Sequence, residues 1–579
     1  MTVGEIHGAG GPMPPVQDDL TIEQFILDGQ HPTRPQWYGQ RPVLIEEATG
    51  REIGSDELRA RIHGLANALK INWNIGYDDV VCIFSPNHVD YVVALWAVQK
   101  LGGVVSTSNP MYTAEELTYQ LRLVKARMLI AHPSMLLVAL EGAQAVGIPS
   151  DRIVLFEPLA GSPYSNIQDL VKFGLGQVQQ FTPPHLGPGE ARTKLALLLL
   201  SSGTTGKPKA VMIPHYSINV NVVQIAQYLR LNDETVPMER KLYRPGSVSL
   251  AILPFHHAYG MHKILFGSIF FGSTVVVSPK FTLERTLQSI RRYRVTHLCV
   301  VPPQVLLLCK SPIVKDYDLS SVYFLQCGGA PLTAELQESL VRILPDCTIG
   351  QGYGMTETAT GITFCQRDRR VGKPGSAGVF LPGIVARLVK PDGSLAGYNE
   401  PGELHLRTPS ASLGYLNNPT ATAETFVDGW IRTGDEVMMN EQKEVFVVDR
   451  IKELIKVRGF QVAPSELEGH LLDHPDVADV CVVGLPDEYS GELPFAFVVL
   501  SPSAQDRAHG NPEEMSRMRQ AIMKHVSDQK TAYKRLAGVH FVNAVPKNAS
   551  GKLLRRVLRE QAKEMLRLGQ LQLAVKSKL

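Results

Sequence analysis

Short apolar runs alternate with stretches of helical spacing along most of this chain. Residues 80–84, Val-Val-Cys-Ile-Phe, read as a buried strand. Residues 88–101 follow with helical apolar spacing, and Gly102-Gly103 ends that helix before a new strand starts at Val104-Val105. The rhythm returns at 128–131, 153–156, 195–200, 211–213, 248–253, 274–278 and 298–301. Strands alternating with helices predict an α/β architecture with largely parallel sheets. The first forty or so residues, with Pro12, Pro14, Pro15, Pro32 and Pro35, read as irregular. Past residue 380 or so, Pro382-Gly383, Pro401-Gly402 and Asp428-Gly429 punctuate short runs such as 384–389 and 403–407, which predicts a turn-rich β subdomain. A charged strip, Asp449-Arg450-Ile451-Lys452-Glu453, then leads into an α+β segment with helices over 465–472 and 513–529 and strands over 477–483 and 495–500. A boundary near Asp449 divides the chain into 1–448 and 449–579.

Composition narrows the function classes. The 579 residues carry 58 basic and 56 acidic side chains, so nothing argues for nucleic acid or an anionic membrane as the main partner. No apolar run approaches the roughly 18 residues that span a bilayer. The seven cysteines are scattered, odd in number and without a C-x-x-C pair, a pattern of reduced thiols in an intracellular protein. The chain ends in Ser577-Lys578-Leu579, a peroxisomal address read by the import receptor, so the expected location is the peroxisome matrix.

Six segments carry candidate chemistry. Between the strands at 195–200 and 211–213 lie Ser201, Ser202, Gly203, Thr204, Thr205, Gly206 and Lys207, then Pro208 and Lys209. Glycine N–H groups, hydroxyls and two lysines suit a polyphosphate, although only two residues separate Gly203 from Gly206, unlike a Walker A loop. In Gly350-Gln351-Gly352-Tyr353-Gly354-Met355-Thr356-Glu357, Tyr353 can stack on a base, Thr356 can bond a phosphate and Glu357 can hold Mg²⁺. Taken alone, the segment reads equally as a turn before a helix, with Thr356 as its N-cap. Asp435, after Thr433-Gly434, suits ribose hydroxyls or a plain turn. Alternation of Ile455 and Val457 with Lys456 and Arg458 predicts a strand presenting both charges on one side. Lys552, in Pro546–Lys552, projects from a C-terminal turn. In Pro254-Phe255-His256-His257-Ala258-Tyr259 an extended chain would turn the two histidines to opposite sides, so that at most one faces a given site, and no metal-ligand spacing surrounds them.

In this order the motifs resemble the acyl-adenylate-forming superfamily of acyl- and aryl-CoA ligases, luciferases and nonribosomal adenylation domains. The resemblance runs from about residue 40 to 560 and is greatest to 4-coumarate–CoA ligases and their peroxisomal relatives. It implies a large adenylation domain of two α/β sheets plus a β subdomain, with a small mobile α+β C-terminal domain. It implies an AMP-forming ligase: acid and ATP give acyl-AMP and pyrophosphate, and CoA then gives acyl-CoA and AMP. By resemblance, residues 201–209 wrap the β- and γ-phosphates, Glu357 holds Mg²⁺ and Thr356 contacts the α-phosphate. Adenine lies against Tyr353 with Gly329, Ala330 and Gln351; Asp435 and Arg450 hold the ribose. Lys552 bridges carboxylate and α-phosphate. His257 gates the acid and CoA channels, and Lys280 meets a CoA phosphate. A hinge at Asp449 swaps Lys552 for the face bearing Lys456, Arg458, Gly459 and Gln461. Relatives often carry Lys at 458, and the planar Arg changes that CoA contact. Tyr259, Gly329 and Gly352 suggest a pocket for a flat aromatic acid or a medium-length chain. The alternatives are a luciferase-like oxygenase, an enzyme that loads a carrier protein, and a non-catalytic binding module.

Overall fold

The computed structural model describes residues 4–35, 41–201, 208–458, 460–487, 490–547 and 551–571. The apolar runs form two parallel sheets. The first has six strands in the order Ile153–Leu155, Met128–Ala131, Val80–Phe84, Val104–Ser108, Leu195–Ser201 and Lys209–Pro214; only the last pairing is antiparallel. The second has seven strands in the order Thr348–Gln351, Phe324–Cys327, His297–Val300, Val248–Ala251, Thr274–Val277, Leu44–Glu46 and Glu52–Ile53, again with only the last pairing antiparallel. Residues such as Val81, Ile83, Val275 and Leu298 are buried because helices cover these sheets, and this is why the runs are continuously apolar rather than alternating.

The turn-rich region forms a third, antiparallel sheet from Val385–Val389, Gly402–Arg407, Phe426–Val427, Trp430–Met439 and Val445–Arg450. Its edge is a correction to the sequence reading. The N-terminal stretch is not irregular throughout: Ile6–His7 pairs with Val385 and Ala386, and Ile22–Leu27 is a helix whose Thr21 and Gln24 form a capping box. The strand partner lies far along the chain, where local pattern gives no sign of it.

Asp449 sits in the last strand of this third sheet. A separate five-stranded sheet begins at Ile455–Val457 and continues through Phe460–Val462, Val477–Asp487, Gly491–Leu500 and Gly538–Phe541, packed against Pro464–Leu472, Pro512–Gln529 and Arg555–Arg567. Arg555 ties this unit to the segment before it. Its guanidinium meets Glu468 and Glu453 at 2.5 Å each and Asp449 at 4.0 Å, and all four groups are largely withdrawn from solvent. The seven cysteines are free thiols; six are buried, and Cys309 is half-buried. Among the described residues no helix is long and apolar enough to cross a membrane.

Candidate active site

A cavity of about 1080 Å³ opens where the strands of both parallel sheets end. Thr107, Asn109, Leu200 and Ser201 come from the first sheet and the chain just after it; Gln326, Gly328, Gly329 and Gly352 come from the second. The third sheet contributes Arg432, Thr433, Gly434 and Arg450, and the C-terminal unit contributes Lys547 and Lys552. Crevices at the carboxyl ends of parallel strands are where α/β folds bind ligands.

Tyr353 donates its hydroxyl to Asp435 at 2.5 Å, and Arg450 lies 3.4 Å from the same carboxylate. Sheet register produces that pair, because Asp435 and Arg450 stand opposite each other on adjacent strands. Asp435 is only 5% exposed; burial pushes its pKa up, and Arg450 and the Tyr353 hydroxyl oppose the shift. Glu357, 6% exposed, accepts from the Tyr415 hydroxyl at 2.8 Å, and Lys209 Nζ stands 5.0 Å from the centre of the Tyr415 ring. Thr356 and Glu357 do begin a short helix, but it is a single turn over Thr356–Thr358 whose N-cap is Met355, so Thr356 is not the cap.

Lys552 lines this cavity beside Asp435 and Arg450. Burial, and then the neighbouring Arg450 charge, brings its pKa down to about 8. Its charge also reaches His257, whose pKa burial depresses to about 4, so that imidazole is neutral. His257 Nδ1 accepts from the Tyr259 amide at 3.3 Å, which puts the ring proton on Nε2.

The stretch from 254 corrects the extended-chain reading. Residues 254–257 turn, and Tyr259–Phe266 forms a π-helical segment. Consequently His256 and His257 both line the cavity, and Tyr259 and Lys263 reach it from one side of the wide turn. Gly260 permits the tight entry: a Cβ there would lie 2.2 Å from the Pro254 carbonyl oxygen. Tyr259 donates to the Gln326 carbonyl at 3.1 Å, and its ring packs where a side chain at Gly328 would sit.

Other expected residues fall elsewhere. Gln351 is outside the cavity wall; its amide is taken by Leu332 N at 2.8 Å and Leu332 O at 3.3 Å. Ala330 and Lys280 are exposed and do not line the cavity. Lys456 and Gln461 are exposed on the C-terminal sheet, away from it. Lys456 does alternate with buried Ile455 and Val457, but Arg458 lies beyond the strand in a left-handed turn at φ 50°, with Nε 3.3 Å from Ser490 Oγ. The strand therefore presents one of the two charges, not both. Ser202, Gly203, Thr204, Thr205, Gly206, Lys207 and Gly459 lie outside the described residues, as do Ser577, Lys578 and Leu579. Sequence reasoning missed Tyr415 and Lys263. An aromatic following Gly414 in a turn-rich stretch is the only local signal of the first.

Known proteins share this arrangement. The AMP-binding enzyme family matches residues 33–416, and the AMP-binding enzyme C-terminal domain matches residues 466–552. The chain belongs to the AMP-binding enzyme family. It is similar to 4-coumarate–CoA ligase 2 of Oryza sativa subsp. japonica, 36% identical over 534 residues that cover 90% of this chain and 89% of that protein. It is likewise similar to the acyl-CoA ligase AFT1-1 of Alternaria alternata, 35% identical over 577 residues covering 95% and 96%. Among solved structures, the anthranilate CoA ligase AuaEII in complex with anthranoyl-AMP shares the fold, with a TM-score of 0.81, 23% identity, and coverage of 96% of this chain and 99% of that one.

Proposed function

We infer that the cavity is the adenylation site of an ATP-dependent, AMP-forming acid–CoA ligase, and that it activates an aromatic acid of the 4-coumarate kind or a medium-chain acid. The carrying observation is that one cavity gathers Tyr353, Glu357, Arg450 and Lys552 from separate parts of the chain. The central difficulty is electrostatic, since a carboxylate must approach the anionic α-phosphate of ATP. Lys552 supplies positive charge at the meeting point. Lys209 and Ser201, at the cavity wall, face the β- and γ-phosphates. Tyr353 and Gly329 bound the adenine, and Asp435, held by Tyr353 and Arg450, receives the ribose hydroxyls. The acid oxygen bonds to the α-phosphorus as the bond to pyrophosphate breaks.

Glu357 fits Mg²⁺: a hard carboxylate oxygen at the cavity wall suits an ion that takes its other ligands from phosphate and water. Such an ion would neutralise phosphate charge. In the second half-reaction the CoA thiolate attacks the acyl carbonyl and AMP leaves. We assign this half to a rotated C-terminal unit that withdraws Lys552 and brings in Lys456, Arg458 and Gln461, with the hinge at Asp449. Neutral His257 stands between the two channels. The terminal Ser577-Lys578-Leu579 supports a peroxisomal location. The measurement that tests the reading is pyrophosphate release across aryl, cinnamic, short-, medium- and long-chain acids, with CoA consumption followed in parallel. Turnover of aromatic or medium-chain acids into CoA thioesters is expected; pyrophosphate release without thioester would contradict it.

A further inference from the structure

Among the charged groups of the cavity that the mechanism leaves without a task, Lys263 is buried and stands apart. Lys263 lines the cavity and is 4% exposed, and its Nζ has no hydrogen-bond partner among the described residues. Its surroundings are apolar or neutral. Nζ lies 4.2 Å from the centre of the Phe364 ring, 5.8 Å from Phe271 and 5.9 Å from Tyr243, and the titratable groups bearing on it include the buried thiols Cys299 and Cys365 and the imidazoles His262 and His297, both kept neutral by burial. The aromatic faces offset part of the desolvation of an ammonium but do not accept its three N–H bonds. A second buried polar atom lining the cavity, Gln326 Oε1, is also without a partner among the described residues.

Position separates Lys263 from the reacting end. Lys552 enters the cavity from the C-terminal unit, on the side of Arg450, whereas Lys263 Nζ sits against Phe364, Phe271 and Tyr243, rings buried in the core of the large domain. Tyr259, one turn before Lys263 on the same wound segment, also lines the cavity and is bonded to the strand that carries Gln326. An acid whose carboxylate sits by Lys552 therefore directs its far end toward Lys263.

We propose that Lys263 is a specificity-determining residue that hydrogen-bonds an oxygen at the distal end of the acyl group, so that the preferred acids carry a second carboxylate or a carbonyl there. This rests on the ligase reading above and narrows its substrate class. A plain hydrocarbon end would cover Nζ and leave it unpaired, and sites built around a buried polar group reject ligands that lack its partner.

The test uses the full-length enzyme and chain-matched acids. Octanoic acid is compared with the α,ω-dicarboxylic acid and the ω-oxo acid of equal length, and cinnamic acid with its para-carboxy and para-formyl forms. Wild type is expected to favour a distal-oxygen member by on the order of 100-fold in kcat/KM. The carboxy and formyl arms then tell which oxygen is recognised. Lys263→Met should erase or reverse that preference while plain acids are used at least as well, and Lys263→Gln should retain part of it through its N–H donors. A wild-type enzyme that uses plain acids equally or better overturns the inference and leaves the ligase reading standing, whether or not the variants fold. A parallel loss on every acid in Lys263→Met, with unchanged melting temperature, also overturns it. Failure of wild type to activate any acid would count against the ligase reading itself, and this inference would fall with it.

Discussion

The Tyr353 hydroxyl and the Asp435 carboxylate meet at 2.5 Å across 82 residues of sequence, joining the second parallel sheet to the antiparallel one. The contact fixes a buried carboxylate whose charge is supported by Arg450, this phenol and the nearby Lys552. Tyr353→Phe removes a bond to a charged acceptor worth about 1.5–3 kcal/mol. The expected outcome is a KM for ATP raised roughly tenfold or more, with the acid KM little changed, measured by pyrophosphate exchange.

Lys552, in its proposed place, should make adenylation sensitive to alkaline pH. Its pKa is lowered to about 8, so the ammonium is present below that pH and is lost as pH rises through it. Acid-dependent kcat/KM should therefore hold steady near neutrality and fall about tenfold per unit above pH 8, since that parameter reports the free enzyme. Lys552→Arg should give a lower but flat profile through about pH 10, because guanidinium stays charged. Lys552→Ala should abolish exchange yet spare CoA transfer from supplied acyl-adenylate; an equal loss in both halves would contradict its assigned place.

Lys456 offers the converse. It is exposed and outside the cavity here, so Lys456→Ala should leave stability and pyrophosphate exchange within about twofold of wild type. Thioester formation should drop by tenfold or more if the C-terminal unit turns this face inward. Single-turnover assays with preformed acyl-adenylate separate the two.

Tyr415→Phe deletes the hydroxyl that orients Glu357. Exchange measured against Mg²⁺ concentration should show a half-saturating value raised several-fold, because the carboxylate loses a bond of about 1.5–3 kcal/mol. An unchanged Mg²⁺ dependence would detach Glu357 from the metal.

Removing Ser577, Lys578 and Leu579 should leave catalysis intact and strand a fluorescently tagged protein in the cytosol. Continued import into peroxisomes would refute that address.

What the sequence made legible was local and contiguous. The apolar runs marked the strands because a helix-covered parallel sheet demands apolar residues on both faces, and Gly352, Tyr353, Thr356 and Glu357 stood in one short motif. Relationships formed by folding were not legible. Tyr415 reaches Glu357 only because residues 412–415 run beside the strand Lys209–Pro214 and the Glu357 carbonyl, a pairing no periodicity announces. The histidines were misread for a simpler reason. Alternation of sides holds for extended chain, and the segment from Pro254 turns into a π-helical stretch instead. Lys263 was missed for a different reason: residues four apart share a side whether the chain is extended or wound, and only the fold brings that side to the cavity.

The state of the thiols has a practical corollary. Six cysteines are buried, and burial pushes even the half-buried Cys309 up to about 11, so the native chain presents almost no thiolate to an alkylating reagent at neutral pH. A cysteine introduced at an exposed position of the C-terminal unit such as Ser516 would take a fluorophore against a quiet background. With a second label on the large domain, the swing of the C-terminal unit between half-reactions becomes a distance that can be timed.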